Sequence, residues 1–209
     1  VSSEQSGLER RPIAARSSRW AQRLAAWLAA TSVTPNQISV TSVLFAALGA
    51  ALILAGGPLC FLVAAACVQL RLVCNLLDGM VAIEGGKSSP VGAIYNEFPD
   101  RIADSLLLVP IGYACGTPWL GWCAALLAAL TAYVRVFGGA LGQKQDFGGV
   151  MAKQRRMAAL TAGLVAQAIE TAIWGTGWCL VVTGGVIAAG SLVTCWTRTA
   201  AIAHRMQAA

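Results

Sequence analysis

Charge is what this sequence lacks most. Only 11% of its 209 residues are Asp, Glu, Lys or Arg, and 57% are hydrophobic; ordinary soluble domains carry about a quarter charged residues. Histidine is nearly absent too: the one residue, His204, sits in the C-terminal tail and reads as solvated, not as a ligand. Seven cysteines are present, yet no CxxC pair is among them, which argues against a zinc or redox site. Cys60, Cys67 and Cys74 fall seven apart on one helix face and read as small packing residues. No basic stretch is interleaved with aromatics for base stacking. The net charge of +6 therefore points to anionic lipid headgroups and excludes nucleic acid as the expected partner. The opening segment also lacks the apolar core of a signal peptide.

What the chain does have is apolar length. A transmembrane helix needs roughly 20 mostly apolar residues, and six such stretches follow one another: Ile38–Ala55, Leu59–Ala82, Val91–Ala114, Trp119–Phe137, Met157–Trp174 and Cys179–Ala203. Gly56-Gly57-Pro58, Glu84-Gly85-Gly86-Lys87, Gly116-Thr117-Pro118 and Gly175-Thr176-Gly177 separate them with turn chemistry, as does the stretch from Gly138 to Arg156. The expected fold is all-α, an integral membrane bundle of six transmembrane helices over residues 36–205. Residues 1–35 precede it as a cytoplasmic segment. Within that segment, Trp20, Leu24, Trp27 and Leu28 recur at helical spacing among Arg16, Arg19 and Arg23. That pattern predicts a basic amphipathic helix lying in the membrane interface. Thr34 or Asn36 is placed to cap the first span, with Pro35 at a tolerated early position.

Loop charges alternate. Arg10, Arg11, Arg16, Arg19 and Arg23 precede the first span, Lys87 follows the second, and Lys144, Lys153, Arg155 and Arg156 follow the fourth. Arg205 is in the tail, and the other three loops are uncharged. The positive-inside rule puts both termini and the basic loops in the cytoplasm, the expected location being a bacterial inner membrane. Trp119, Trp122, Trp174 and Trp178 lie near the opposite ends, as an aromatic belt does.

Two consecutive spans each carry several polar groups. Arg71, Asn75 and Asp78 lie in the second, and Asn96, Glu97, Asp100, Arg101 and Asp104 lie in the third. A charge near a helix centre costs about 2.5–3.5 kcal/mol even on the lenient insertion scale, so these groups must pair, face water or bind something. Asn75 and Asp78, at i and i+3, share a helix face, as do Asn96, Asp100 and Asp104 at i, i+4 and i+8. A short loop joins the two spans, so the sequence predicts antiparallel neighbours with their polar faces together. Oxygen donors without His or Cys suit Mg²⁺ or Mn²⁺, which suit phosphate substrates. Arg71 and Arg101 neutralising the acids in a structural network is the alternative.

The run Asn75-Leu-Leu-Asp78-Gly79-Met-Val-Ala82-Ile83, eight residues, Gly92, three residues, Asn96, three residues, Asp100 resembles the CDP-alcohol phosphotransferase signature, D-x2-D-G-x2-A-R-x8-G-x3-D-x3-D. Thr34-Pro35-Asn36 and Tyr133-Val134-Arg135 are also similar to that family. The resemblance implies attack of an alcohol on a CDP-linked donor such as CDP-diacylglycerol, release of CMP, a divalent metal and a homodimer. It assigns Asn75, Asp78, Asn96 and Asp100 as metal ligands and Asp100 also as general base. Gly79, Ala82 and Gly92 would let the nucleotide approach closely, and Lys87 and Arg135 would contact phosphate, as would Lys153, Arg155 and Arg156.

Three positions depart from the signature. Asn75 and Asn96 replace aspartates, and Ile83 replaces the arginine. The lost charge leaves room for a one-metal site or for a relative that binds a CDP-lipid without turnover. Glu97 and Asp104 are possible replacement ligands, and Lys87 or Arg71 a replacement phosphate partner.

Overall fold

The computed structural model describes residues 14–208. Among them a 3₁₀ turn, Ala14–Ser17, leads into α1 (Arg19–Ala29), α2 (Pro35–Ala55), α3 (Pro58–Ile83), α4 (Gly92–Ala114), α5 (Pro118–Ala140), α6 (Lys153–Ile173) and α7 (Trp178–Gln207), with no strand. The six apolar stretches correspond to α2 through α7. Four of these helices, α2, α3, α5 and α7, are long and apolar enough to cross a membrane. The other two, α4 and α6, have 23 and 21 residues but carry the charged groups described below. Arg10 and Arg11 lie outside the described residues.

Helix boundaries follow local chemistry. Thr34, not Asn36, caps α2: its hydroxyl accepts from the Gln37 amide at 3.3 Å, and the Gln37 side chain accepts from the Thr34 amide at 2.9 Å. This reciprocal box, with Pro35 next, satisfies donors that a helix start leaves orphaned. The break before α3 turns on Gly56 and Gly57, whose φ values of 71° and 89° suit a residue without Cβ.

The expected side-by-side packing of the second and third spans is not what the fold adopts. α2 packs along both α3 and α4, and those two meet each other only over a narrow zone. The cause is a stripe of small buried residues on α2: Ser39, Ser42, Ala46 and Gly49. A methyl group on Gly49 would lie 3.0 Å from Leu107 of α4 and 3.4 Å from Cys67 of α3. Small residues let helix backbones approach closely where lipid supplies no hydrophobic drive, so α2 sinks between its neighbours.

The α4–α5 crossing is tighter still. A methyl on Gly112 would come within 2.6 Å of the Gly121 amide nitrogen and 2.7 Å of the Thr117 carbonyl, both backbone atoms that cannot rotate away. Gly112→Ala is expected to destabilise the bundle by about 1–3 kcal/mol, measured as a lower unfolding midpoint in detergent. Gly185→Ala, which meets nothing within 4 Å, is the matched control.

Helix α1 docks on α3 through a small-residue face. Ala21 and Ala25 are buried against Leu76, Leu77, Met80 and Val81, with Leu24 and Leu28 alongside. Trp20 and Trp27 stay exposed, at 50% and 63%. At the far end of the bundle, Glu170 fastens the α6–α7 turn. Its carboxylate accepts the amides of Trp178 at 2.9 Å and Cys179 at 2.7 Å, and also the Thr176 hydroxyl. An acid at a helix start satisfies orphan amides and complements the dipole. Trp119, Trp122, Trp174 and Trp178 are all exposed around this end.

Candidate active site at one end of the bundle

Alternating helix direction brings the starts of α2, α4 and α6 together with the ends of α3, α5 and α7. Every polar side chain singled out in the second and third spans lies toward this end. Asp78 is buried, and its Oδ2 accepts the Ser39 hydroxyl of α2 at 2.6 Å. Among the described residues, no side chain bonds its buried Oδ1. Asn75 reaches across to α4, donating from Nδ2 to Asp100 Oδ1 at 2.8 Å. That bond joins the two halves of the spaced motif.

Asp100 is ringed by cations. Arg71 Nη2 lies 3.3 Å from its Oδ1, Arg101 lies 3.6 Å from its Oδ2, and the Lys153 ammonium bonds Oδ2 directly. One turn on, Asp104 takes Arg71 on Oδ1 and Arg156 on Oδ2, each at 2.5 Å. Arg71 and Arg156 are essentially inaccessible. Charges sealed from water persist only when paired and hydrogen-bonded, and Asp104 is the group that meets this need for both arginines. It is their counter-ion, not a substitute metal ligand.

Other expectations need correction as well. Asn96 is exposed on the α4 face one turn before Asp100 and does not join the hydrogen-bonded cluster. Glu97 turns away, accepting Arg135 at 2.6 Å and lying 3.8 Å from Arg101, so it too leaves the acids. The Lys87 ammonium bonds the carbonyls of Thr31 and Val33, at 2.5 and 3.1 Å. It ties the α3–α4 loop to the α1–α2 loop instead of facing the acids. Gly79 and Gly92 have space beside them: a methyl on either would meet only a side-chain atom, Arg16 Nη2 at 3.6 Å or Ser89 Oγ at 3.5 Å. Ala82 is half-buried on the same stretch of α3.

Beside the acids lies a cavity of about 260 Å³ whose lining includes Arg101, Arg135, Lys153, Arg155, Arg156 and Arg198 and no acidic residue. Arg135 is buried at its wall, held by Glu97 and by Gln145 at 2.5 Å, with its guanidinium 5.0 Å from the Phe147 ring centre. Arg198 went unnoticed in the sequence although it sits inside the last apolar stretch. It donates to the Thr131 carbonyl at 2.6 Å and to the Gly148 carbonyl at 2.6 and 3.0 Å. The rule that flagged Arg71, a charge within an apolar span, applies equally to Arg198.

The donors suit a hard cation in type and limit it in number. Asp78 presents a buried oxygen that no side chain satisfies, and Asn75 and Asp100 add an amide carbonyl and a carboxylate nearby. Among the described residues, no three His, Cys, Asp or Glu side chains are grouped to hold a metal ion. The set fits a single divalent ion centred on Asp78. It does not fit a pair, because Asn75 and Asn96 lack charge and protein cations already neutralise Asp100.

Fold and site together define a class: a helical membrane protein with acid and amide oxygens beside a cationic cavity at one end. The chain belongs to the CDP-alcohol phosphatidyltransferase family, whose model matches residues 32–197, and is an integral membrane protein. It is 34% identical over 153 residues to the bifunctional IPC transferase and DIPP synthase of Rubrobacter xylanophilus, covering 70% of this chain and 34% of that protein. It is 38% identical over 85 residues to the inner membrane protein YnbA of Escherichia coli, covering 40% of this chain and 42% of that one. The chain thus spans under half the length of these curated relatives. Two structures of Mycobacterium tuberculosis phosphatidylinositol phosphate synthase share the fold, each with a TM-score of 0.74. The one with CDP-DAG bound is 20% identical, covering 88% of this chain and 94% of its own; the one with manganese and citrate is 19% identical, covering 87% and 88%.

Proposed function

We propose that this protein transfers a substituted phosphate from a CDP-linked lipid, CDP-diacylglycerol foremost, to an alcohol that itself bears a phosphate, releasing CMP. The observation that carries this reading is the contact between signature and cavity: Lys153 bonds Asp100 and also lines the cationic cavity. An anionic acceptor entering that cavity engages Arg135, Arg155 and Lys153, for which guanidinium and ammonium groups are suited. As Lys153 turns to the acceptor phosphate, Asp100 is released toward the acceptor hydroxyl.

In the reaction the hydroxyl oxygen attacks the phosphorus bearing the non-cytidine group. The bond from that phosphorus to the CMP oxygen breaks, and the hydroxyl proton passes to Asp100. Asn75 and Ser39 hold the two carboxylates in place, since positioning and charge neutralisation supply most of the acceleration in phosphoryl transfer. A divalent ion, Mg²⁺ or Mn²⁺, held by Asp78 with Asn75 and Asp100, would neutralise pyrophosphate charge. The manganese in the mycobacterial synthase structure and the bound CDP-DAG in its companion support both ligand classes.

Residues 36–205 form the catalytic unit in this reading, with α2 through α7 spanning the membrane. α4 and α6 cross with Asp100, Asp104, Lys153, Arg156 and Glu170 buried in the bundle. Residues 1–35 are the cytoplasmic segment, with α1 in the interface, and the resemblance implies a homodimer.

The test is CMP release by purified protein from CDP-diacylglycerol, with phosphorylated and unphosphorylated polyols compared as acceptors. Turnover only with phosphorylated acceptors is the expected result. A protein inert across a broad donor and acceptor panel, yet still binding CDP, is a non-catalytic CDP-lipid binder. Asn96→Asp, which adds a carboxylate one turn before Asp100, is expected to tighten Mn²⁺ binding about tenfold or more, measured by titration of free Mn²⁺ signal. Unchanged Mn²⁺ affinity would remove Asn96 from the metal's surroundings.

A further inference from the structure

We infer that Lys153 is the residue by which the site tells a phosphorylated alcohol from water: it occupies Asp100 until an acceptor phosphate draws it off, and so keeps the donor from being hydrolysed. Lys153 has this role only where the transfer reading above holds.

Water is the nucleophile such a site must refuse. A base that takes a proton from an alcohol beside a CDP-linked phosphate can take one from water as well. In that side reaction the water oxygen bonds the phosphorus bearing the lipid group, and the bond from that phosphorus to the CMP oxygen breaks. The water proton passes to Asp100, and CDP-diacylglycerol ends as phosphatidic acid and CMP.

Both oxygens of Asp100 are engaged. Oδ1 accepts Asn75 Nδ2 at 2.8 Å with Arg71 Nη2 at 3.3 Å, and Oδ2 takes the Lys153 ammonium with Arg101 Nη2 at 3.6 Å. Arg71 is sealed in the bundle on Asp104, and neither it nor Asn75 lines the cavity. Arg101 does line it, but stands beyond hydrogen-bond distance of Oδ2. Among the described residues, Lys153 is thus the cation that both bonds Asp100 and lines the cavity.

Burial decides what can part the pair. Lys153 is 8% exposed and Asp100 5%. Separating them for a neutral nucleophile strands two charges away from water, a strongly unfavourable exchange. An acceptor phosphate beside Arg135 and Arg155 instead offers the ammonium a new anionic partner. Lys153 is the first residue of α6, and its flexible four-carbon stem lets the ammonium swing while the helix stays fixed. The acceptor's phosphate therefore releases the base for the acceptor's own hydroxyl. Water brings no charge, and the pair stays closed.

The experiment follows CMP and phosphatidic acid formed from CDP-diacylglycerol in mixed micelles with Mn²⁺ and no alcohol, using the full chain. Methyl phosphate carries the acceptor's anion without a hydroxyl and leaves the polyol's place to water. Added to the wild type, it is expected to raise phosphatidic acid formation about tenfold to a hundredfold, part of what a freed general base contributes. Lys153→Met keeps the bulk of the stem and removes the charge. It should hydrolyse the donor faster than wild type by a similar factor without methyl phosphate, and no faster with it, while transfer to a phosphorylated polyol falls. Damage to the fold, or loss of a phosphate contact alone, lowers both reactions, so opposite signs belong to the gating role. Wild-type hydrolysis that ignores methyl phosphate overturns the inference, even where Lys153→Met fails to fold. A Lys153→Met protein that hydrolyses the donor no faster than wild type overturns it too. In both cases, wild-type transfer to the phosphorylated polyol leaves the transfer reading standing. Wild type that releases no CMP with any acceptor sinks that reading and this inference together.

Discussion

Asp100→Asn is expected to lower CMP release by about 10²–10⁴-fold, the usual contribution of a positioned base. The asparagine keeps the shape and an oxygen facing Asn75, so the helix contact can persist. The exchange removes the proton acceptor and one of the two carboxylates of the spaced motif. It also strips the counter-charge from the Lys153 ammonium. CDP binding and the unfolding midpoint must therefore be measured with turnover, because a chemical role predicts that turnover falls far more than either. Turnover within a factor of a few of wild type would remove Asp100 from the chemistry and leave it as a structural acid.

Asp104→Ala should produce the largest loss of stability in the chain, about 3–5 kcal/mol, the range for stripping one partner from a buried ion pair. Two arginines depend on this one carboxylate, each at 2.5 Å, and both are nearly inaccessible. Removing it leaves Arg156 only neutral acceptors, the Thr131 hydroxyl and the Met151 carbonyl, and leaves Arg71 only its longer contacts to Asp100. A cycle with Arg156→Met distinguishes this from simple loss of packing: the double variant should be destabilised by much less than the sum of the singles. Additive losses would show that Asp104 is not the shared counter-ion.

Much of this architecture was legible because apolar length and turn residues are local signals. The six stretches, the Thr34–Pro35 start and the glycine breaks are each encoded within a few neighbouring residues. The intramembrane acids were equally visible, since any charge in an apolar run stands out. Which acid does what was not visible, because that depends on contacts between residues distant in sequence. Asp104 meets Arg156 at a separation of 52 residues, and Glu97 meets Arg135 at 38. Periodicity puts Asn96, Asp100 and Asp104 on one face without saying that the last is claimed by arginines and the first stays open. Glu170 had no role readable in the sequence although its partners are near: the amides of Trp178 and Cys179, eight and nine residues on, end on it. The position of α2 between α3 and α4 was missed because connectivity favours sequential neighbours, and only side-chain volume shows which helix fits between them.

That wedge has a consequence for how this site can change. The carboxylates proposed to react stand on α3 and α4, and α2 packs along both of those helices. Ser39 touches an acid directly; Ser42, Ala46 and Gly49 act only through their size. In the proposed reaction, the separation of the two carboxylates is thus set by a spacer that performs no chemistry. One methyl group more or less along that stripe would widen or narrow it while every side chain of the site kept its identity, so donor preference can drift within the proposed site without any alteration to the residues proposed to transfer the phosphate.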